Sequence, residues 1–289
     1  NKTKHAAFEI LTKMTTTLEE QLSDKLQMMD ETTDKVQGSS KQKEDSSIAA
    51  SSDAKTASPS SSDSATKVAA PESEFYNKAQ KYWSEVPATV NGMLGGLGYI
   101  SAIDIQGSNV FLREIRVPGN RLALDCGAGI GRVTRNLLIP RFSCVDLVEQ
   151  DPAFADKARE YCTSEDGSRG KVGQIYNVGL QKFTPTQQYD LVWTQWVLGH
   201  LTDRDLVSFF RRIKQGLAPG AFLCLKENVS SSKKTVEDRN DSSVTRPLDS
   251  YEHFLKEAGF RIVRKVKQQN FPKGLFPVYM IACKPVSKE

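Results

Sequence analysis

The chain has 289 residues, enough for one large domain or two small ones, and a formal net charge of +4. This charge is small and spread along the sequence, which argues against direct binding to nucleic acid. No apolar run approaches the roughly 18 residues that a membrane span needs. The five cysteines include no C-x-x-C pair, so the sequence predicts neither a metal site nor a disulfide framework and suits a reducing compartment.

The first 70 residues differ in composition from the rest of the chain. Residues 39–66 are dominated by Ser, Asp, Lys, Ala and Thr, and their one large aliphatic side chain is Ile48. Such a segment cannot bury enough apolar surface to offset the entropy of ordering it. Before it, apolar residues from Phe8 to Met29 recur at spacings of three and four, which predicts a marginal amphipathic helix. We therefore expect a largely disordered tail over residues 1–70 and a folded domain over residues 71–289. The chain begins at Asn1 rather than Met, so we expect a fragment of a longer protein.

A helix is predicted before Pro87 from apolar side chains at helical spacing, namely Phe75, Ala79, Tyr82 and Trp83. The segment that follows, NGMLGGLGYIS at residues 91–101, contains four glycines, which make a helix or a strand implausible. We therefore predict a flexible loop. Its apolar side chains either close over a ligand or attach the preceding helix to the core, and both interpretations stay open.

The most informative stretch is LALDCGAGIGR, residues 122–132. Its apolar start predicts a parallel strand buried on both faces, followed by a glycine turn and a helix. Such glycines let backbone N–H groups approach a ligand at a helix N-terminus. A dinucleotide fold needs G-x-G-x-x-G, whereas a single residue, Ile130, separates the last two glycines here. The D-x-G-x-G-x-G spacing that begins at Asp125 resembles the first motif of class I S-adenosylmethionine-dependent methyltransferases. A tight turn without a ligand remains the alternative.

An acid at the end of the next predicted strand makes that alternative weaker. The run CVDLVEQD, residues 144–151, places Glu149 where a carboxylate can accept hydrogen bonds from two ribose hydroxyls. NAD and S-adenosylmethionine both carry this ribose, so Glu149 indicates a nucleoside without choosing between them. The glycine spacing favours S-adenosylmethionine.

From residue 121 strands and helices alternate, which is typical of a parallel sheet covered by helices on both faces. We predict a seven-stranded, mostly parallel, doubly wound α/β sheet that ends in a hairpin-like pair, with an N-terminal helical lid. After the first two strands, the predicted helices are 152–161, 203–217 and 248–258, and the predicted strands are 172–178, 189–193, 221–228, 260–266 and 278–282.

Polar residues that follow these strands are candidates for chemistry, because ligands of open α/β sheets lie beyond the carboxyl ends of the strands. Trp196 and His200 are four residues apart and would share one helical face. Asn228 ends the fifth strand. The acids Glu237, Asp238 and Asp241 lie in a polar loop, which is either simply solvated or recruits a cation.

Several motifs, taken in order, resemble one family closely: GMLGG, DCGAGIGR, GLQ.FTP, QWV.GHLTD and D..DSSV. They resemble the α-N-terminal protein methyltransferases, which methylate the free amino group of proteins that begin with Xaa-Pro-Lys or Xaa-Pro-Arg. The resemblance covers about residues 74–284. Within it, the GMLGG loop and QWV.GHLTD are more diagnostic than the glycine turn.

The resemblance implies a role for each matching residue. The implied cofactor-binding residues are Gly127, Arg132 facing the methionyl carboxylate, Glu149 at the ribose, Leu180 and Gln181 beside the adenine, and Gln195. The implied peptide-binding residues are Trp196 on the second-position proline, Trp83, Leu94 and Ile100 around the channel, Asn228 on the peptide backbone, and Asp238, with Asp241, at the third-position Lys or Arg. Asp241 and His200 are implied as the catalytic pair that handles the proton of the α-amine.

This substrate is chemically reasonable. Methyl transfer needs an uncharged nitrogen about 3–3.5 Å from the methyl carbon. An α-amine has a reference pKa of about 7.7–8.0, against about 10.4 for Lys, so a modest base such as His suffices near neutral pH. The resemblance further implies protein N-termini as partners, a monomer, and a location in nucleus and cytoplasm.

Two departures from the family pattern affect the peptide side. Phe276 stands where the family carries a Tyr, and the loop between Asn228 and Asp238 is one residue longer, which makes the place of Asp238 less certain than that of Asp241. Two other functions stay open: a methyltransferase of this fold with a small-molecule substrate, and a catalytically silent binding module.

Overall fold

The computed structural model describes residues 70–163 and 171–286. The tail and the amphipathic helix predicted for the first 70 residues lie outside this part, apart from the first residue of helix α1. The boundary between tail and domain therefore stays a prediction.

The strands of the described chain are β1 (Leu122–Cys126), β2 (Cys144–Val148), β3 (Lys171–Tyr176), β4 (Tyr189–Gln195), β5 (Leu217–Asn228), β6 (Val236–Asp238), β7 (Ser243–Thr245), β8 (Phe260–Lys267) and β9 (Val278–Pro285). The α-helices are α1 (Ala70–Glu85), α2 (Val90–Met93), α3 (Ser101–Ile115), α4 (Pro152–Cys162), α5 (Asp203–Gln215) and α6 (Leu248–Glu257). Short 3₁₀ turns lie at Gly98–Ile100 and Leu198–His200, and a π-helical turn lies at Thr134–Leu138.

Seven strands form one sheet in the order β3-β2-β1-β4-β5-β9-β8. Strands β1 to β5 pair in parallel, whereas β9 runs antiparallel to both β5 and β8. This confirms the predicted seven-stranded, mostly parallel sheet with a hairpin-like final pair. The carboxyl ends of β1, β2, β4 and β5 consequently meet along one edge.

Both faces of the sheet are buried, which explains why β1 reads as an uninterrupted apolar run. Leu122 and Leu124 pack on the face covered by α5 and α6, while Ala123 packs on the face covered by α3 and α4. Alternate residues of β1 point to opposite faces of the sheet, and both sets therefore have to be apolar. The helices find their partners because each presents an apolar stripe, most clearly α5, whose N-terminus is capped by Thr202.

The segment 91–101 contains the end of helix α2 and a 3₁₀ turn, so the prediction that its glycines exclude a helix was wrong. Thr89 accepts a hydrogen bond from Gly92 N through its side chain at 3.0 Å and caps α2. Asn91 Oδ1 accepts from Gly98 N at 3.0 Å and holds the following turn. These side-chain hydrogen bonds stabilise the helical turns, although glycine itself has a low helix propensity. Helix α3, directly after this segment, was not predicted at all.

Three further boundaries differ from the prediction. Helix α5 ends before Gly216, and β5 begins at Leu217, so Pro219 and Gly220 lie in a bulged start of the strand rather than terminating a helix. The polar loop that carries the predicted acids forms a two-stranded hairpin, β6 with β7, in which Asp238 pairs with Ser243.

Within the described residues, no helix has the length and apolar character that a bilayer crossing requires. The same part of the chain contains no cluster of His, Cys, Asp or Glu side chains that would hold a metal ion.

The glycine turn after β1 generates a stability prediction. Gly131 has a φ of +81°, and a methyl group added to it would lie 2.5 Å from Sγ of Cys162 in α4. Gly274 has a φ of +89° with open space around it. Gly131→Ala and Gly274→Ala therefore share backbone strain, and only the first adds overpacking, of roughly 1–3 kcal/mol. Urea unfolding should show Gly131→Ala less stable by that difference; equal losses in the two variants would contradict the packing.

Candidate active site

Two adjoining clefts open at the carboxyl edge of the parallel strands. The first cleft lies over the glycine turn and is lined by all six residues predicted to bind the cofactor: Gly127, Arg132, Glu149, Leu180, Gln181 and Gln195. The second cleft lies beside it and is lined by most of those predicted for the peptide and the proton: Trp83, Leu94, Ile100, Trp196, His200, Asn228 and Asp241. The two clefts share a wall made by Trp83, Met93, Leu94, Trp196 and His200.

The glycine turn is built differently from the sequence argument. Gly127 N and Ala128 N both donate to Val148 O, at 2.8 and 3.1 Å, and Gly129 N donates to Glu149 Oε2 at 2.8 Å. These three N–H groups are therefore used within the protein instead of pointing at a ligand. Glycine is required at 127 and 129 because both residues adopt positive φ, 69° and 55°. A methyl group at Gly127 would lie 2.4 Å from the side chain of Val197, so the missing side chain also makes room for packing within the protein.

Glu149 is held by the backbone on both of its oxygens. Oε2 accepts from Gly129 N, and Oε1 accepts from Asp151 N at 2.9 Å. Burial raises the pKa of the carboxyl, and these backbone bonds oppose that rise. Each carboxylate oxygen has a second lone pair, so Glu149 can still accept hydrogen bonds from the vicinal hydroxyls of a ribose.

The Leu180 and Gln181 turn is fixed from helix α5. Arg212 Nη2 donates to Leu180 O at 2.8 Å and to Gln181 O at 3.1 Å, and its Nε donates to Phe183 O at 2.6 Å. Sequence analysis missed Arg212, since an arginine on an amphipathic helix is usually a solvated surface residue. Three carbonyl groups bound to one guanidinium make this part of the first cleft rigid.

A buried ionic cluster underlies the first cleft, and we call Asp104, Arg132, Gln195 and Lys226 the Asp104 cluster. Asp104 lies on α3 and is fully buried. Its carboxylate lies 2.8 Å from Arg132 Nη1 and 2.5 Å from Lys226 Nζ, and Gln195 Nε2 lies 2.9 Å from both oxygens. Burial lowers the pKa of Lys226 to about 8, and the charge of Asp104 opposes this shift. Sequence analysis identified neither Asp104 nor Lys226.

Trp196 separates the two clefts in a strained conformation. Its φ is 53°, which is rare for an aromatic residue. Strand β4 ends at Gln195 and only a short 3₁₀ turn, Leu198–His200, follows. The prediction that Trp196 and His200 share a helical face was therefore wrong, although both line the clefts. The guanidinium of Arg132 lies 5.6 Å from the centre of the Trp196 ring.

The loop between β4 and α5 is held by two buried side chains of opposite charge. Glu227 Oε1 accepts from Val197 N at 3.1 Å and from Leu198 N at 3.0 Å. Arg246 donates to Leu198 O at 2.9 Å and to Leu201 O at 2.6 Å. An acid thus binds the N–H groups of the loop and a base binds its carbonyl groups. This arrangement fixes the backbone that carries Trp196 and His200.

His200 faces Trp83 and Asp241. Trp83 Nε1 donates to His200 Nε2 at 3.0 Å, which assigns Nε2 as the unprotonated nitrogen of a neutral imidazole. Burial lowers the pKa of His200, and the charge of Asp241 opposes that shift. The imidazole is therefore biased towards the neutral form that can accept a proton near neutral pH.

Three buried polar atoms at this wall have no hydrogen-bond partner within the described chain: Trp196 Nε1, His200 Nδ1 and Asp241 Oδ1. The backbone of Ser242 faces His200 and favours its charged form, but it makes no well-formed hydrogen bond with Nδ1. Buried polar groups are normally paired. Unpaired donor and acceptor atoms side by side indicate a polar ligand that occupies the second cleft.

Two residues of interest differ from the expected arrangement. Asp238 lies exposed at the end of β6, where its Oδ1 accepts from Asn240 N at 2.9 Å, and it does not line the second cleft. Its charge nevertheless acts on His200. Phe276 lines the second cleft with an apolar ring.

The sheet order, the glycine turn with Glu149 behind it and the buried Arg132 together fit a nucleoside that carries an amino-acid group. This combination defines an S-adenosylmethionine-dependent methyltransferase. The particular family is given by comparison with known proteins. A family model described as AdoMet dependent proline di-methyltransferase matches residues 71–284, and the chain belongs to this family.

Individual relatives agree with this assignment. The chain is 99% identical over 276 residues, 96% of its own length and 100% of the relative's, to Alpha N-terminal protein methyltransferase 1 of Drosophila melanogaster. It is 44% identical to N-terminal Xaa-Pro-Lys N-methyltransferase 1-B of Xenopus laevis, covering 75% of this chain and 98% of that one. Among solved structures, a SAM-dependent methyltransferase of Leishmania major matches with a TM-score of 0.69 and 38% identity, over 74% of this chain and 85% of that one.

Glu227 generates a pH prediction. Burial raises its pKa to about 7 from the 4.5 of an exposed glutamate, while the loop N–H groups and Arg246 oppose the rise. Between these two pKa values the folded state binds more protons than the unfolded state. The free energy of unfolding therefore falls as the pH rises from 4.5 to 7, by about 3 kcal/mol in total.

The measurement is urea unfolding of the wild type and of Glu227→Gln from pH 4.5 to 8. Gln keeps an oxygen that can accept from the loop but does not titrate, so Glu227→Gln should gain stability relative to the wild type as pH rises towards 7. The difference at pH 4.5 is the internal reference. A pH-independent difference would contradict the raised pKa.

Proposed function

We propose that the protein transfers methyl groups from S-adenosylmethionine to the α-amino group of proteins that begin with Xaa-Pro-Lys or Xaa-Pro-Arg. The observation that carries this proposal is the set of unpaired buried atoms on Trp196, His200 and Asp241 beside the first cleft. A peptide terminus offers both an amine to donate and carbonyl groups to accept. The names of the relatives support the same substrate.

The residues of the first cleft fit the cofactor. Arg132 would hold the methionyl carboxylate, and Glu149 would hold the ribose. Gln195, which bonds Asp104 as Arg132 does, would lie at the amino-acid end of the cofactor. Leu180 and Gln181 would flank the adenine, and Gly127 would allow the close approach. Bound S-adenosylmethionine supplies an electrophilic methyl group on a sulfonium. The shared wall of the clefts would direct this methyl group towards the second cleft.

On the peptide side, Trp196 would pack on the second-position proline, because its ring faces the second cleft and its backbone is fixed by the loop. Leu94, Ile100 and Trp83 would enclose the channel with apolar surface. Asn228, at the end of β5, would bind the peptide backbone. A rigid proline ring against an aromatic wall is consistent with the preference for Xaa-Pro.

The third position would be read by charge. Asp241 lines the second cleft, and Asp238 lies on the same hairpin at the exposed side. A Lys or Arg side chain at the third position would therefore have to extend out of the cleft into solvent to meet Asp238. We propose that Asp238 contributes long-range attraction and that Asp241 contributes contact.

The proton of the amine would be handled by Asp241 and His200. Asp241 Oδ1 is unpaired and can accept a hydrogen bond from the ammonium. Nε2 of His200 is the basic nitrogen, but it accepts from Trp83. A proton can therefore reach Nε2 only when the Trp83 hydrogen bond is released, which links proton transfer to a side chain that lines the peptide channel.

We also propose that the protein acts as a monomer in nucleus and cytoplasm. Both proposals come from the family resemblance. Size-exclusion chromatography with light scattering tests the first, and imaging of a fluorescent fusion in cells tests the second.

The substrate prediction uses two peptides that share an Xaa-Pro-Lys start and differ only in acetylation of the α-amine. The free peptide should gain methyl groups in mass spectrometry, and the acetylated peptide should gain none, because acetylation removes the nucleophilic lone pair. A third peptide with Gln at position three should react more slowly. Methylation of the acetylated peptide would contradict the α-amine as the acceptor.

The catalytic prediction concerns His200→Ala and Asp241→Asn. Each should lower kcat at least about 100-fold, the lower end of what a positioned proton-transfer group contributes. The affinity for S-adenosylmethionine should stay within about threefold, because neither side chain belongs to the Asp104 cluster. His253→Ala, at an exposed position on α6, is the matched control and should behave as wild type. Parallel losses of turnover and cofactor affinity would contradict the assigned roles.

A further inference from the structure

The carboxylate of Asp104 is saturated by the protein itself. Its Oδ1 contacts Lys226 and Gln195, and its Oδ2 contacts Arg132 and Gln195. The amide orientation of Gln195 is set because its Oε1 accepts from Trp193 Nε1 at 3.1 Å. Asp104 therefore has no acceptor capacity left for the ammonium group of a ligand. It acts on the first cleft only through its neighbours.

Arg132 is held at one end and free at the other. Its Nη1 donates to Asp104 and, at 3.3 Å, to Ser101 Oγ. The other N–H groups of this guanidinium make no hydrogen bond with the described residues, and the side chain lines the first cleft. The arrangement leaves these donors for an anion in the cleft.

Lys226 is fully buried and fully bonded. Its Nζ donates to Asp104 O at 2.8 Å, to Ser108 Oγ at 2.9 Å and to Gln268 Oε1 at 2.9 Å, besides the contact with the carboxylate. Lys226 thus has no hydrogen available for a ligand. Its influence on the cleft is through charge alone.

The Asp104 cluster contains more positive than negative groups. Arg132 and Lys226 carry two positive charges against the one negative charge of Asp104, so the hydrogen-bonded cluster has a net charge of +1. Asp125, the next buried acid, bonds Thr134 at 2.6 Å and makes no hydrogen bond with the cluster, but its charge also acts on Arg132. When Asp125 is included, the four buried charges sum to zero with Lys226 and to −1 without it. Lys226 therefore limits how far the two acids oppose the attraction of Arg132 for an anion in the first cleft.

We propose that Asp104 and Lys226 are positioning residues for the carboxylate of the cofactor. Asp104 fixes Arg132 by one end, and Lys226 offsets the charge of Asp104, so that the attraction of Arg132 for the ligand carboxylate is not cancelled by its own partner. Without Lys226, the Asp104 and Arg132 pair is neutral. The inference concerns the first cleft and holds whichever peptide the second cleft binds.

The test measures binding instead of turnover. Calorimetry at pH 7 compares S-adenosylhomocysteine with its decarboxylated analogue, S-(5′-adenosyl)-3-thiopropylamine. We define the carboxylate preference as the Kd of the analogue divided by the Kd of S-adenosylhomocysteine. A charge-assisted hydrogen bond is worth about 1.5–3 kcal/mol, so the wild type should show a preference of about 10- to 100-fold. Lys226→Met should reduce it at least about fivefold.

A double variant separates charge from structure. Asp104→Asn combined with Lys226→Met restores a net charge of +1 on Arg132 alone, and Asn keeps an oxygen that can accept from Nη1. The double variant should recover a preference within about threefold of the wild type, although it is missing two native side chains. Lys267→Met, at an exposed position of β8, is the matched control and should leave the preference unchanged.

The outcomes distinguish the alternatives. An unchanged preference in Lys226→Met overturns the proposal, and so does a double variant that is no better than the single one, since Lys226 would then be only structural. If Lys226→Met does not fold, the double variant alone is the test. A carboxylate preference of the double variant close to that of the wild type supports the inference, and a ratio close to 1 overturns it.

Discussion

One buried carboxylate joins three distant parts of the chain. Asp104 comes from α3, directly after the glycine-rich segment, and it meets Gln195 of β4, Lys226 of β5 and Arg132 after the glycine turn. Helix α3 cannot shift without breaking these bonds in a fully buried site. The helix therefore fixes both clefts at once, because Arg132 lines the first and Ile100, just before α3, lines the second.

The second constraint is the loop between β4 and α5. An aromatic residue at positive φ persists only where its surroundings over-determine it, and Glu227 and Arg246 do so here by binding the N–H and C=O groups of the loop. The strain is local and the clamp is buried. The result is a fixed indole between the two clefts.

The two clefts present different polar groups. The first cleft has the guanidinium of Arg132 and the carboxylate of Glu149 in its lining, whereas the second has Asp241 and a neutral imidazole. Such a division suits a donor that presents a carboxylate and an acceptor that arrives as an amine. In the proposed reaction an amine acceptor would have to lose its proton, and Nε2 of His200 would take that proton once the hydrogen bond from Trp83 is released.

Much of the fold was predictable because it depends on local patterns. Apolar runs such as 122–126 predict buried strands, and alternation with amphipathic helices predicts a parallel sheet. The family resemblance gathered residues for two clefts from motifs alone. Helix α3 escaped prediction because the glycines before it indicate a loop and its own start at Ser101 has no side-chain cap. Helix α2 escaped because its cap on Thr89 and the bond from Gly98 to Asn91 depend on side-chain positions in space.

The sequence by itself predicted a seven-stranded, mostly parallel sheet and the cofactor class, and the family resemblance named residues that line both clefts. These features can be predicted because the alternation of strands and helices and the motif spacing are read along the chain. Only the tertiary structure decided the partners of the charges. Asp104 and Lys226 are 122 residues apart, and Glu227 is 30 and 29 residues from the loop residues Val197 and Leu198 that it binds. No spacing rule connects either set of partners. Burial forces such groups to pair, but which groups pair is set by packing.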